Sequence, residues 1–216
     1  MNIFEEANEI LDNFIKYNLF SYHYLRNYDY GVKNRTNVSQ LSKYITHRIL
    51  YEYEIVKKLK AFDKKKKFID EILWRIYWKG YLENHKSIWT EYTSFKGIGY
   101  NVDILNNAKN GRTGINCFDT WIDELRESNY LHNHARMWLS SIWIFTFKLP
   151  WQLGARLFMK HLFDGDAASN ILSWRWVAGL HTNNKPYLAS KENINKYTSN
   201  RFNITNFNMP NKVDIM

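Results

Sequence analysis

The chain has 216 residues, 45% of them hydrophobic and 17% aromatic, and a formal net charge of +9, with a pI near 9.4. That length allows one domain with a single sizeable core. A lone cysteine, Cys117, excludes an internal disulfide, and the apolar run from Met137 to Phe147 stops at Lys148 and holds Ser140, Ser141 and Thr146, too short and too polar to span a bilayer.

Three Pro and nine Gly, with helix-period patterning almost throughout, predict an all-α fold. The basic charge favours an anionic partner, nucleic acid ahead of a membrane surface. Compositional drift in a chain rich in Lys, Asn, Ile and Tyr is the alternative source of that charge. The single cysteine fits a reducing, cytoplasmic setting, and Glu5, Glu6 and Glu9 interrupt any signal-peptide pattern.

In chain order, residues 3 to 20 read as an amphipathic helix with Ile3, Phe4, Ala7, Ile10, Leu11, Phe14 and Ile15 on one face. From Tyr22 to Val38 the periodicity is lost, which predicts a loop. Ser39 or Ser42 is expected to cap a helix running to about Lys60, and Lys64 to Lys67 to be a solvated helix start or a phosphate-contacting patch. Phe68 to Tyr81 is a strongly aromatic helix in which Glu71 and Arg75, four residues apart, suit an ion pair. Residues 84 to 110 read as irregular apart from a short helical piece at 103–109. A turn at Gly111 to Gly114 leads into a helix over 118–128, ended by Asn129. After Gly179 the chain turns polar; residues 190–200 form a last helix and 201–216 a frayed tail, placing the domain at 1–200.

The stretch from Leu131 to Gly179 is the most informative. A helix ended by Pro150, a second over 151–163, an acidic turn Asp164-Gly165-Asp166 and a third helix over 167–176 follow from its apolar spacing and caps. Polar groups inside such an apolar shell need partners. Arg136 with Asp164 is a plausible buried pair. Asn133 and Asn170, each with a donor and an acceptor, suit either a structural role or a planar heteroaromatic ring. There is no metal-ligand cluster, phosphate-binding loop or dinucleotide fingerprint.

The ordered motifs G-R-T-G-(x)4-D-x-W-(x)2-E-L-(x)5-L-H-N-H-A-R-M, Trp151, D-G-D-(x)3-N and W-R-W-V-A-G resemble those of the flavin-binding catalytic domain of the photolyase and cryptochrome family, from about Asn27 to Asn200. The resemblance implies an all-α helical domain of that type, binding FAD, with the cofactor working in its reduced form. By the same resemblance, Val38, Ser39, Leu41 and Ser42 hold the flavin diphosphate with Arg75 nearby. Val38 stands where the family has a hydroxyl, which Thr36 or Asn37 would replace. Arg136, Asp164, Asp166 and Asn170 lie at the flavin ring, with Asn133 close to it. Glu71, Trp74, Asn133, Met137 and Trp176 line a lesion pocket, and Trp174 and Trp151 begin an electron relay whose third member has no aligned Trp; Tyr100, Trp89 and Trp143 are candidates for it, with a core or surface aromatic as the alternative for each.

Asn133 and Met137 stand where (6-4) photolyases carry His, so the resemblance implies light-dependent repair of cyclobutane pyrimidine dimers in DNA. His134 falls where such enzymes often have Arg, its alternative being a surface residue. A photosensor without repair, (6-4) repair and a flavin-free basic helical protein are the alternatives. Because no Rossmann-like segment precedes Met1, the expectation is a monomeric minimal photolyase without an antenna chromophore.

Overall fold

A computed structural model describes residues 2–182 and 185–204. Its helices are α1 (Ile3–Tyr17), α2 (Leu19–Leu25), α3 (Ser42–Thr46), α4 (Glu52–Leu59), α5 (Lys66–Asn84), α6 (Lys86–Ser94), α7 (Val102–Asn110), α8 (Asn116–Ser128), α9 (Asn133–Ser141), α10 (Trp151–His161), α11 (Ala167–Val177) and α12 (Lys191–Tyr197). A 3-10 turn covers Val32–Asn34 and a π-turn Ile142–Thr146. The fold is all-α, with no strand among the described residues.

Two apolar clusters organise these helices. The first joins Leu11, Phe14, Leu19, Tyr22, Tyr44, Ile45 and Ile55 to Phe68 and Ile72 at the start of α5. The second, larger one is built on Phe118, Trp121, Trp138, Trp143, Phe158 and Trp174, all essentially buried. Burial of these large rings supplies most of the driving force for folding. α5 packs on α2 and α4 on one side and on α11 on the other, so it runs along the seam between the clusters.

Several expectations from the sequence are corrected. The first amphipathic helix, expected over 3–20, stops at Tyr17, and residues 19–25, expected as loop from Tyr22 onward, form α2, because Leu19 and Tyr22 bury against the first cluster. The helix expected to run to Lys60 is broken between His47 and Tyr51, where Arg48 takes a positive φ of 60°. Neither Ser39 nor Ser42 caps α3: its N-cap is Leu41, with no side-chain acceptor. Residues 86–94, expected to be irregular, form α6 by burying Ile88 and Tyr92 in the second cluster. The helix begun at Asn133 passes into the π-turn before reaching Pro150, which caps α10 instead.

The expected tail is docked at its start. Arg201 pairs with the buried Asp29 at 2.8 Å and Phe202 meets Trp121 edge-on at 5.4 Å; residues 205–216 lie outside the described residues. Asn129 ends α8 at φ 53°, and Asp166 caps α11 by accepting from the Ser169 amide at 2.8 Å. Cys117 is a buried core residue whose thiol burial pushes up to about 12, so it stays protonated and inert.

A buried ionic network stands behind the start of α9. Arg35 pairs with Glu124 and lies 3.6 Å from Asp29, all three almost inaccessible. Beside it, His132 receives the His134 amide on Nδ1 and sets Nε2 3.0 Å from the Arg26 carbonyl. Burial, the largest cause, lowers both imidazoles to about 4, with cationic neighbours adding to it and Asp29 opposing.

Both histidines therefore bind protons more readily in the unfolded chain, where the ordinary value is 6.5. Their contribution to stability is complete above that pH and is lost as pH falls toward 4. The urea midpoint should decline over this window, and His132→Gln should make the decline shallower. At Gly154 an added Cβ would fall 2.2 Å from the end of the buried Trp174 ring. Gly154→Ala should therefore cost about 1–3 kcal/mol from overpacking, lowering the melting temperature by several degrees in thermal denaturation.

Candidate functional site

At the seam lies a cavity of about 630 Å³, within the range of small-molecule and cofactor sites. Its floor is apolar: Ile45, Phe68 and Ile72 come from the first cluster, Phe158 and Leu162 from the second, with the buried Val177 beside them. Its polar groups come mainly from α3, α5, α9 and the turn into α11.

Arg136 on α9 donates to both carboxylate oxygens of Asp164, at 2.9 and 3.0 Å. Burial raises the Asp164 carboxyl, but the Arg136 guanidinium, helped by Ser42 and Arg75, outweighs it and holds the group below the usual carboxylate range. The Asp164 carbonyl accepts from Thr46 Oγ1 at 3.4 Å, and Thr46 in turn receives Arg75. The expected Glu71–Arg75 ion pair does not form. Arg75 reaches across the seam to α3, while Glu71 pairs with Arg26, just beyond α2. Tertiary partners have displaced the pair between helical neighbours.

Burial raises the Glu71 carboxyl, and the Arg26 charge offsets only part of that rise. Glu71 thus keeps a proton to higher pH than an ordinary acid. Its neighbour Tyr22 is raised by burial and by the Glu71 charge, so the phenol stays a hydrogen-bond donor.

Ser39 and Ser42 border the cavity together with Asp166, Asn170 and Trp174. Val38 and Leu41 instead line a smaller adjoining recess of about 120 Å³, shared with Ser39, Ser42, Glu71 and Asn133. Asn37 is not free to replace the missing hydroxyl: its amide donates to the carbonyls of Leu25 and Tyr28 at 2.7 and 2.8 Å. The Asn170 amide donates to the Ala155 carbonyl at 2.8 Å, fixing the side chain with its own carbonyl unpaired among the described residues. Asn133 is exposed, its amide 3.7 Å from the Met137 sulfur. His134 is half-buried rather than a surface residue.

Glu71, Trp74, Asn133, Met137 and Trp176 border this same cavity. Trp74 is half exposed and stacks on Trp78 at 5.4 Å; Trp176 stacks on Tyr187 at 5.4 Å. Trp151 is away from the wall, stacked on Tyr92 at 5.9 Å. The ring neighbours of Trp174 are Phe158 and Trp143, at 5.1 and 6.2 Å. The two tryptophans expected to begin a relay are thus held by different partners.

The wall also contains Tyr22, Tyr130 and Ser169, which reading the sequence did not single out. Tyr130 and Ser169 adjoin the motifs at 131–137 and 164–170 and were within reach of that signal. Tyr22, Arg26 and Thr46 sit in stretches with no motif, and only the fold brings them in.

The donor set suits a large anionic ligand with a polar ring system. Arg75 Nε and Ser169 Oγ are buried on the wall without partners among the described residues, a cost that a bound group would remove. The uncapped amides of α3 and the Arg75 charge suit phosphate, and Arg136, Asp164 and Asn170 suit a ring edge. These are groups that can hold FAD.

Comparison with known proteins points the same way. Residues 68–204 match the family described as the FAD binding domain of DNA photolyase. The deoxyribodipyrimidine photo-lyase of Buchnera aphidicola subsp. Baizongia pistaciae is 27% identical over 246 residues, covering 99% of this chain and 50% of that protein. That of Streptomyces griseus is 32% identical over 121 residues, 55% of this chain and 27% of its own. A class III photolyase from Agrobacterium tumefaciens superimposes with a TM-score of 0.72 at 25% identity, over 85% of this chain and 39% of its own. The fold is also that of a Synechocystis cryptochrome, TM-score 0.79 at 20% identity, covering 91% of this chain and 43% of the other. The chain spans about half the length of these relatives or less. With most of the cavity wall, from Phe68 to Thr182, inside the matched residues, the chain belongs to the family of FAD-binding domains of DNA photolyases.

Proposed function

We propose that this chain carries out light-dependent repair of cyclobutane pyrimidine dimers in DNA, with reduced FAD in the seam cavity. One observation carries the reading: an acid of raised pKa, two indoles, an amide and a thioether (Glu71, Trp74, Trp176, Asn133 and Met137) border the same cavity as the donors suited to a flavin.

Arg75 and the α3 amides, with the segment from Val38 to Ser42, would hold the diphosphate. Arg136 and Asp164 would set the ring edge, Asp166 would lie near its polar side, and the free carbonyl of Asn170 would accept from a protonated ring nitrogen. When bound and reduced, the flavin supplies the electron that opens the cyclobutane ring under light and takes it back afterwards.

The chain's own residues prepare the lesion. Trp74 and Trp176 present apolar faces to the two pyrimidines and exclude water. A dimer stacks poorly in DNA, so moving it into such a pocket costs less than flipping a normal base. Glu71, its carboxyl raised by burial, would meet the pyrimidine carbonyls, and its protonated form would donate a hydrogen bond that strengthens as negative charge gathers there. Arg26 orients that carboxyl. Trp174, unpaired at Nε1 on the cavity wall, is the indole placed to pass an electron to the ring, with Trp151 as the next proposed member of the relay.

The test is restoration of unmodified bases when the flavin-loaded, reduced chain is illuminated with dimer-containing oligonucleotide. Glu71→Gln should lower repair per absorbed photon by roughly tenfold, the worth of one charge-assisted hydrogen bond, without changing flavin absorbance. Dimer DNA should bind more weakly as salt rises, because phosphate contacts release counterions. A chain that holds reduced flavin and binds the oligonucleotide, yet restores no bases, overturns the repair reading in favour of a photosensor.

A further inference from the structure

One face of α5 leaves the cavity and continues outward as an unbroken row of rings. Trp74 stacks on Trp78 at 5.4 Å and 28°, and Tyr77 bridges to Tyr81 at 5.8 Å. Tyr81 lies parallel to His85 at 3.9 Å and 12°. From the turn after α11, His181 sets its ring edge-on to both Trp78 and Tyr81, at 4.9 and 4.8 Å. The inner end belongs to the cavity wall, through Trp74, Tyr77, Trp78 and His181. The outer end, Tyr81 and His85, lies beyond it.

This row is only partly core: Trp78 and Tyr81 are half-buried against the second cluster, and the remaining rings open outward. Trp74 and Tyr77 are about half exposed, at 50% and 47%, and His85 is exposed. Gly80, inside the helix between Tyr77 and Tyr81, has open space where a Cβ would stand. Such a glycine costs a helix up to about 1 kcal/mol relative to alanine, and no packing contact requires it. What it leaves is a shelf beside the rings where a flat ligand can approach the backbone.

We propose that this row is a stacking track for an unpaired DNA base adjoining the lesion. The inference rests on the cavity being a lesion pocket, and three observations select this occupant. The track is continuous with that pocket. Its rings offer flat faces, which suit every base regardless of sequence. Burial and the nearby positive charge of Arg175 lower His181, keeping it neutral, while Lys86 follows His85 and Lys185 comes four residues after His181, giving basic groups for the backbone beside the acids Glu83 and Glu91, the latter paired with Arg175. A base still paired in a duplex cannot lie on such a track, so the neighbouring nucleotide must be single-stranded or frayed.

The experiment measures affinity for single-stranded oligonucleotides carrying one dimer, with the base on each side of it replaced in turn by an abasic site. Removing the base on one side should weaken wild-type binding about tenfold. Tyr81→Ala and the double variant His85→Ala/His181→Ala should bind the intact oligonucleotide more weakly by a similar factor and be insensitive to the abasic site; retained flavin absorbance shows that they fold. In a second arm, undamaged oligothymidylate should quench wild-type tryptophan fluorescence and bind the double variant several-fold more weakly. Repair of dimers with less than a twofold effect of either abasic site overturns the track alone. Track-dependent binding of undamaged strands by a chain that repairs nothing keeps the track and overturns repair.

Discussion

A carboxylate that stays charged inside the protein sets the terms for this site. Asp164 is nearly buried, and its ionisation is sustained by the two-pronged bond from Arg136. Burial alone would push that acid toward neutrality, and a half-made pair would cost several kcal/mol. Satisfying it draws α9 to the turn before α11, and the Asp164 carbonyl then catches Thr46 from α3. Three remote parts of the chain are tied at the place where the two apolar clusters fail to close on each other.

The seam explains why polar groups of so many kinds share one wall. Large rings pack densely within each cluster, but the helices between them leave space instead of interdigitating. Charged side chains can face that space because water or a ligand reaches it. Where they are most deeply held, at Arg75 Nε and Ser169 Oγ, partners are missing. A protein with no ligand to bind would gain by filling such a cavity with Leu or Phe. The wall carries that cost, as expected of a binding site in which stability is traded for preorganised donors.

The sequence made some of this legible for definite reasons. Periodic apolar spacing located the long helices, and Asn129 and Asp166 act at helix ends as their cap chemistry requires, whereas Pro150 starts α10 rather than ending the helix before it. The motif-bearing stretch from Leu131 to Gly179 is continuous in sequence: Arg136 and Asp164 are 28 residues apart, with the π-turn and α10 between them. Where the signal was weaker than a tertiary contact, the reading failed. The Glu71–Arg75 spacing is ideal for a helical pair, yet each side chain found a partner across the seam. Residues 19–25 and 86–94 have no clear period, and they are helical because each buries a few apolar groups against a neighbour.

The sequence by itself determined the helical class, the basic charge, the caps and the identity of the motif residues, since these depend on neighbours within a turn or two. Only the tertiary structure decided that Arg26 belongs to Glu71, that Thr46 belongs to Arg75, that Trp151 stacks away from the cavity, and that the rings of α5 continue past its rim. The first three are contacts between segments distant in sequence, whose energy comes from completing burial and hydrogen bonding at one place, and no periodicity along the chain encodes them. The row on α5 has helical spacing, but where the cavity rim and the distant His181 meet it is set by the fold.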